Sequence, residues 1–213
     1  MRKITFEPQY GPYMVNQRHG GCYVEIVDRI MQLTEWMTGH YARTFMMHFI
    51  LRYPGNKPVP PKNDDVMNFC RRFVYFFSRK NIPVNYLWVR EESDPGRHNY
   101  HQMVFTDGSK KYSAREFLER ADIEWSRAIQ DNTPHLIQHC TRSPQFYEYG
   151  FKRNPRDGLM IDRYTPHFQA AVNEAVYWGS YLAKVRSKEN NPPGLRTWNS
   201  SQPRNSRTGK SPL

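Results

Sequence analysis

Two runs of strand-forming residues flank a turn near the middle of the chain, and this pair constrains the fold more than any other feature. Val84-Asn-Tyr-Leu-Trp-Val-Arg-Glu91 and Asn99-Tyr-His-Gln-Met-Val-Phe105 are rich in β-branched and aromatic residues. Ser93-Asp-Pro-Gly96 lies between them with turn composition, so the pair predicts a β-hairpin that Asp107-Gly108 ends. Upstream, Ala42 to Arg52 reads as a buried strand stopped by Tyr53-Pro-Gly. Asn63 or Asp64 can cap a helix running to about Lys80, with Val66, Phe69, Cys70, Phe73, Val74 and Phe77 on its apolar side. Ser113-Ala-Arg-Glu116 is a capping box that opens a helix to about Ile129. His135–His139 and Gly158–Asp162 are short strand candidates, and 141–157 between them is a polar loop.

From Ala42 onward the order is strand, helix, strand, strand, helix, strand. That is the split β-α-β-β-α-β unit, an α+β fold with a central antiparallel sheet of ferredoxin-like or RRM-like order. A helix at 21–37 precedes it and another, from His167 to Arg186, follows it. The expected organisation is an irregular segment over 1–19, one domain over 20–186, and a basic, largely disordered tail over 187–213. This architecture serves many functions, nucleic-acid binding on an open sheet face among them.

Charge narrows the partners. The 213 residues carry 31 Lys and Arg against 20 Asp and Glu, a net charge of +11. The excess lies on the body as well as on the tail, which favours an extended polyanion contact. Cys22, Cys70 and Cys140 are far apart and in no C-x-x-C pairing, so neither a disulfide framework nor a zinc ribbon is expected. No apolar run approaches the roughly 18 residues of a membrane span, and the N-terminus lacks the apolar segment of a signal peptide. A cytoplasmic protein with no membrane partner is the expectation.

Two places can carry chemistry. On an unbroken last helix, Tyr181 lies about 40° from Tyr177 and Lys184 about 20° to the other side, with Glu174, Ser180 and Lys188 on the same stripe. A phenol can attack phosphorus and form a covalent intermediate, and an ammonium beside it can stabilise the transferring phosphoryl group. An ordinary solvated helix face would show the same spacing. In the hairpin, Asn99 and His101 share one strand face, His98 sits beside them, and Glu91 and Glu92 lie just before the turn. Imidazole with carboxylate or amide oxygens suits Mg2+ or Mn2+, although solvated histidines on a surface hairpin are the plainer account. His48, His135, His139 and His167 read as partly buried histidines that spell out no ligand triad.

Three segments together resemble a known family. Tyr86-Leu-Trp-Val-Arg-Glu91, Tyr100-His101 leading into an apolar strand, and Ser180-Tyr-Leu-Ala-Lys184 are similar to the inovirus-type replication proteins, also named for the YagK/YfjJ C-terminal domain. The likeness runs from about Tyr41 to about Asn199, and Arg196-Thr-Trp-Asn-Ser200 resembles the family's closing segment. What the resemblance implies is an HUH-class rolling-circle endonuclease of a phage, prophage or related mobile element of bacteria. In that class a His-hydrophobic-His strand binds a metal, and a Tyr in Y-x-x-K attacks the DNA backbone and stays linked to the 5′-phosphate. Carried over, Tyr181 is the nucleophile and Lys184 its charge partner, with Tyr177 a possible second tyrosine. His101 matches the second histidine, and Glu91 is the first choice of carboxylate, with Glu92 second. The substrate is single-stranded DNA at a replication origin, with Lys188, Arg186 and Arg90 as backbone contacts. A host replication helicase or polymerase is a further partner.

Position 99 departs from the pattern, since Asn99 stands where the family has His. Either Asn99 binds the metal through its amide oxygen, or a bulge turns His98 into its place. Two rival functions follow. One is a catalytically impaired DNA-binding regulator of the same fold. The other is an RNA-binding module that uses Phe45, Phe49 and Trp88 as stacking platforms.

Overall fold

The central hairpin forms as the sequence predicts, and it organises the rest. The computed structural model describes residues 2–17, 20–94, 96–111, 113–140, 158–186, 188–189 and 191–202. Short strands β1 (Ile4–Thr5), β2 (Gln9–Tyr10), β3 (Tyr13–Met14) and β4 (Cys22–Tyr23) lead into helix α1 (Val24–His40). Then come β5 (Arg43–Leu51), α2 (Asp64–Ser78), β6 (Val84–Asp94), β7 (Arg97–Asp107) and α3 (Ala114–Ile129). The chain continues through β8 (Ile137–His139), β9 (Leu159–Asp162), α4 (Phe168–Ser180), a 3-10 turn (Tyr181–Ala183) and β10 (Trp198–Ser200).

The main sheet has the order β10-β6-β7-β5-β8, and β9 also pairs with β5. Every pairing in it is antiparallel. The last strand of the split unit, β8, thus lies beside the first, β5, and the hairpin β6–β7 completes the row. β8 takes the Phe49–Leu51 end of β5 and β9 takes the Arg43–Met46 end.

Alternation along the strands builds two cores. Phe45, Phe49, Trp88, Tyr100 and Val104 meet Phe69, Phe73, Phe77, Phe117 and Trp125 of α2 and α3. Met46, Leu87, Val89, Met103 and Phe105 meet Ile26, Ile30 and Leu33 of α1 and Ala175 and Val176 of α4. Both faces of the sheet are covered, because α1 and α4 lie over the one that the split unit leaves bare. Phe45, Phe49 and Trp88 are buried, so none is a surface ring for stacking RNA bases. No helix among the described residues is long and apolar enough to cross a membrane.

Two boundaries differ from expectation for tertiary reasons. The last α-helix ends at Ser180, not at Arg186. Lys184 forms an isolated β-bridge with Cys22, and Val185 N–H donates to Gly21 O at 3.1 Å. Those bonds compete with helical ones and win. The second is the tail, since Trp198–Ser200 adds an edge strand against Leu87–Val89. Within the expected tail, Trp198–Ser200 is therefore part of the main sheet. The polar loop over 141–157 and residues 203–213 lie outside the described residues.

Candidate functional site

The site begins with the period-two rule on β7. If Tyr100 faces α2 and α3, then Asn99 and His101 face the α1–α4 side. Register sets Glu91 of β6 opposite Asn99 and Val89 opposite His101. His101 Nε2 lies 3.2 Å from Glu91 Oε2. His101 Nδ1 lies 3.2 Å from Nε2 of His48, which comes from β5. One imidazole thus links a carboxylate on one side to a second imidazole on the other, across three adjacent strands.

The segment after α4 supplies the rest. Gly179 allows close docking, because a Cβ there would stand 2.7 Å from Met103 and 2.8 Å from Ile30. With α4 held down at that point, the chain delivers Tyr181 and Lys184 to the cluster. The Tyr181 and His101 ring centroids are 6.1 Å apart. Lys184 Nζ sits 3.8 Å from the Tyr181 ring centroid and 2.8 Å from Glu91 Oε2. Lys188 Nζ takes the other oxygen, Glu91 Oε1, at 3.2 Å, and donates to Lys184 O at 2.8 Å.

The electrostatics follow from burial. Glu91, His48, His101, Lys184 and Lys188 are all buried. Burial by itself would raise the Glu91 carboxyl, but the His101 hydrogen bond and charge, with the Lys188 and Lys184 ammoniums, hold it well below the usual carboxylate range. Burial pulls Lys188 down to about 8, against the upward pull of Glu91 and with Lys184 adding to the fall. His48 is lowered strongly, first by burial and then by the His101 charge. Cys140 follows β8, and burial pushes its thiol up to about 12.

The other expected site residues go elsewhere. His98 faces the opposite side of the sheet, its Nε2 3.1 Å from Tyr100 Oη and its ring against Tyr53. Register runs unbroken from Glu92↔His98 through Arg90↔Tyr100, and the irregularity falls between Glu92 and Asp94. No bulge therefore turns His98 toward His101, and it is not a metal ligand there. Glu92 accepts from Gly96 N–H at 2.7 Å and shapes the turn. Arg90 is buried on the α2 side, where Nη1 donates to Pro61 O at 2.9 Å, so it is not a DNA contact. Lys188 is buried on Glu91 and is likewise removed from the surface. Arg186 is exposed and Tyr177 half-buried. Glu174, Ser180 and Lys184 are buried, so the polar stripe is not a solvated face.

Sequence reasoning set His48 aside and left Cys140 unassigned. Their placement depends on which strands pair, and no local spacing carries that information. Nitrogen donors with carboxylate and thiol groups around His101 suit a divalent cation by their chemistry. His48, His101 and Cys140 each offer a ligand atom, and these three atoms lie within 4.8 Å of one another.

One solved structure with a similar outline is the N-terminal nuclease domain of non-structural protein 1 of minute virus of mice, described for Zn2+ coordination in its active-site pocket and for DNA recognition at the origin of replication. It shares 13% identity and a TM-score of 0.33 over 73% of this chain and 99% of that one, too distant to carry an argument. No curated protein matches the chain. The family described as the YagK/YfjJ C-terminal domain matches residues 7–197, and the chain belongs to that family.

Proposed function

We propose that this chain is a replication-initiator-like tyrosine endonuclease that nicks and rejoins single-stranded DNA of a phage, prophage or other mobile element. The observation that carries the reading is the meeting of Tyr181 and Lys184 with the Glu91–His101 pair of the hairpin, brought together from segments far apart in the chain.

The Tyr181 phenol gives its proton to solvent water, and its oxygen attacks the scissile phosphorus. The bond from phosphorus to O3′ breaks, the leaving O3′ gains a proton, and the 5′-phosphate stays on Tyr181. The reverse attack by a 3′-hydroxyl rejoins the strand. The Lys184 ammonium, 3.8 Å from the Tyr181 ring centroid, is placed to stabilise the charge on the pentacovalent phosphorus. Glu91 and Lys188 hold Lys184 and His101 in place from below. His101 would hold part of a divalent-cation site, and the cation's charge would polarise a phosphate oxygen of the scissile group. The exposed Arg186 and the net charge of +11 favour the polyanionic strand.

A second reading also has an observation behind it. With Asn99 at the family's histidine position and two lysines already on Glu91, the chain would bind DNA without cutting it. The test is cleavage of end-labelled single-stranded origin DNA with Mn2+. A nick with a slow-migrating protein–DNA adduct, absent in Tyr181→Phe, supports the nickase. Tight, salt-sensitive binding with an intact strand, even after Asn99→His, supports the regulator.

A further inference from the structure

We infer that His48, Cys140 and the Nδ1 atom of His101 form a binding site for one divalent cation of the Zn2+ or Co2+ class, with Glu91 positioning His101 instead of ligating the cation. The inference deepens the proposed function, because it names the ligand set and cation class of that same site.

Lys184 and Lys188 already hold the two oxygens of Glu91, at 2.8 and 3.2 Å. A dication added to this carboxylate would face two ammonium charges at close range in a buried place. The other side of His101 offers two more donors. His48 Nε2 stands 3.2 Å from His101 Nδ1. With metal–nitrogen bonds of about 2.0–2.1 Å, two nitrogens on one cation stand roughly 2.8–3.4 Å apart for angles between about 90° and 110°. The pair is therefore spaced as a bidentate set.

The third donor is placed by strand register. Phe49 pairs with His139, and Cys140 N–H donates to His48 O at 2.9 Å, so the ladder sets Cys140 beside His48. The ligand atoms of His48, His101 and Cys140 then lie within 4.8 Å of one another. A cation that draws the three together removes the thiol proton to solvent. Two imidazoles and a thiolate are a borderline-to-soft set that favours Zn2+ or Co2+ over Mg2+. Three protein donors leave a fourth tetrahedral position for water or a phosphate oxygen, as in catalytic zinc sites.

Glu91 then has a defined task. A ligating histidine commonly donates its other ring N–H to a carboxylate, which fixes the tautomer and orients the ring. Glu91 Oε2, 3.2 Å from His101 Nε2, is placed to accept that bond. The lysines hold the carboxylate in that position.

The experiment is a Co2+ titration of the full chain after treatment with a chelator. One equivalent should bring up a thiolate-to-cobalt charge-transfer band in the near ultraviolet, and Zn2+ should displace it. Cys140→Ser should lose the band, and His48→Gln should weaken Co2+ binding at least tenfold. As a check independent of variant folding, bound Zn2+ should protect Cys140 of the wild type from alkylation while leaving Cys22 and Cys70 unchanged. Co2+ binding without the band, a band that survives Cys140→Ser, or no protection of Cys140 would each overturn the ligand set. Adduct formation on origin DNA, run in parallel, separates the two readings. An adduct without the band sinks this site and spares the nickase, whereas the band without any adduct does the reverse.

Discussion

Removing the charge of Glu91 should be among the most damaging single changes in the chain. Glu91→Gln keeps the shape but leaves Lys184 and Lys188 beside a neutral amide, with Lys188 among the most deeply buried charged groups. Breaking a buried pair by removing one partner costs about 3–5 kcal/mol. Lys188, already down to about 8, can escape part of that cost by giving up its proton, which at pH 7 takes about 1.4 kcal/mol. The loss should be read by urea unfolding at pH 7. It should shrink as pH rises, because a buried lysine with a depressed pKa leaves the unfolded state binding more protons, and stability then climbs with pH. Lys188→Met in the Glu91→Gln background should restore part of the loss, giving a large coupling in the double-mutant cycle. A Glu91→Gln cost under about 1 kcal/mol, with no coupling to Lys188, would show that water screens the cluster as it does a surface pair, and the electrostatic account would fail.

Three further outcomes are expected. Tyr177→Phe should keep adduct formation, because the ring in contact with His101 is that of Tyr181; loss of the adduct in Tyr177→Phe alone, measured on labelled DNA, would reverse the assignment. Burial lowers His98 to about 3, so below pH 6.5 the unfolded chain takes up a proton that the folded chain refuses, and stability falls by about 1.4 kcal/mol per pH unit from this group until the pH nears 3. His98→Gln should flatten the acid limb of a urea-unfolding series by that amount. Gly179→Ala places a methyl 2.7 Å from Met103 and 2.8 Å from Ile30; overpacking of this kind costs about 1–3 kcal/mol, visible as a lower thermal midpoint, with weaker nicking as Tyr181 shifts.

The sheet was legible because its signals are local. Strand alternation, the turn composition between Glu91 and Asn99 and the helix start at Ser113 each act over a few residues, and together they spell the split unit, although Ser113 makes no side-chain cap bond. The same alternation placed Asn99 and His101 on one face and Glu91 on the neighbouring strand. What escaped depends on pairing between distant segments. The helix could not be seen to stop at Ser180, because the bonds that stop it come from Gly21 and Cys22. Trp198–Ser200 reads as tail by composition and becomes a strand only because the edge of β6 is open to it. His48 gains its meaning from lying on β5 beside β7, and Cys140 from the β8–β5 ladder. Arg90 and Lys188 carry charge that suggests DNA, yet each is buried on a partner that sequence spacing does not name.

The central claim is that Tyr181 becomes linked to the 5′-phosphate of the cut strand. The most direct test is mass spectrometry of the wild-type protein after reaction with origin DNA, nuclease trimming and tryptic digestion. The account predicts a nucleotide-bearing peptide ending at Lys184, with fragmentation placing the added mass on Tyr181. Mass on Tyr177, or metal-dependent strand cutting with no modified peptide, would contradict it.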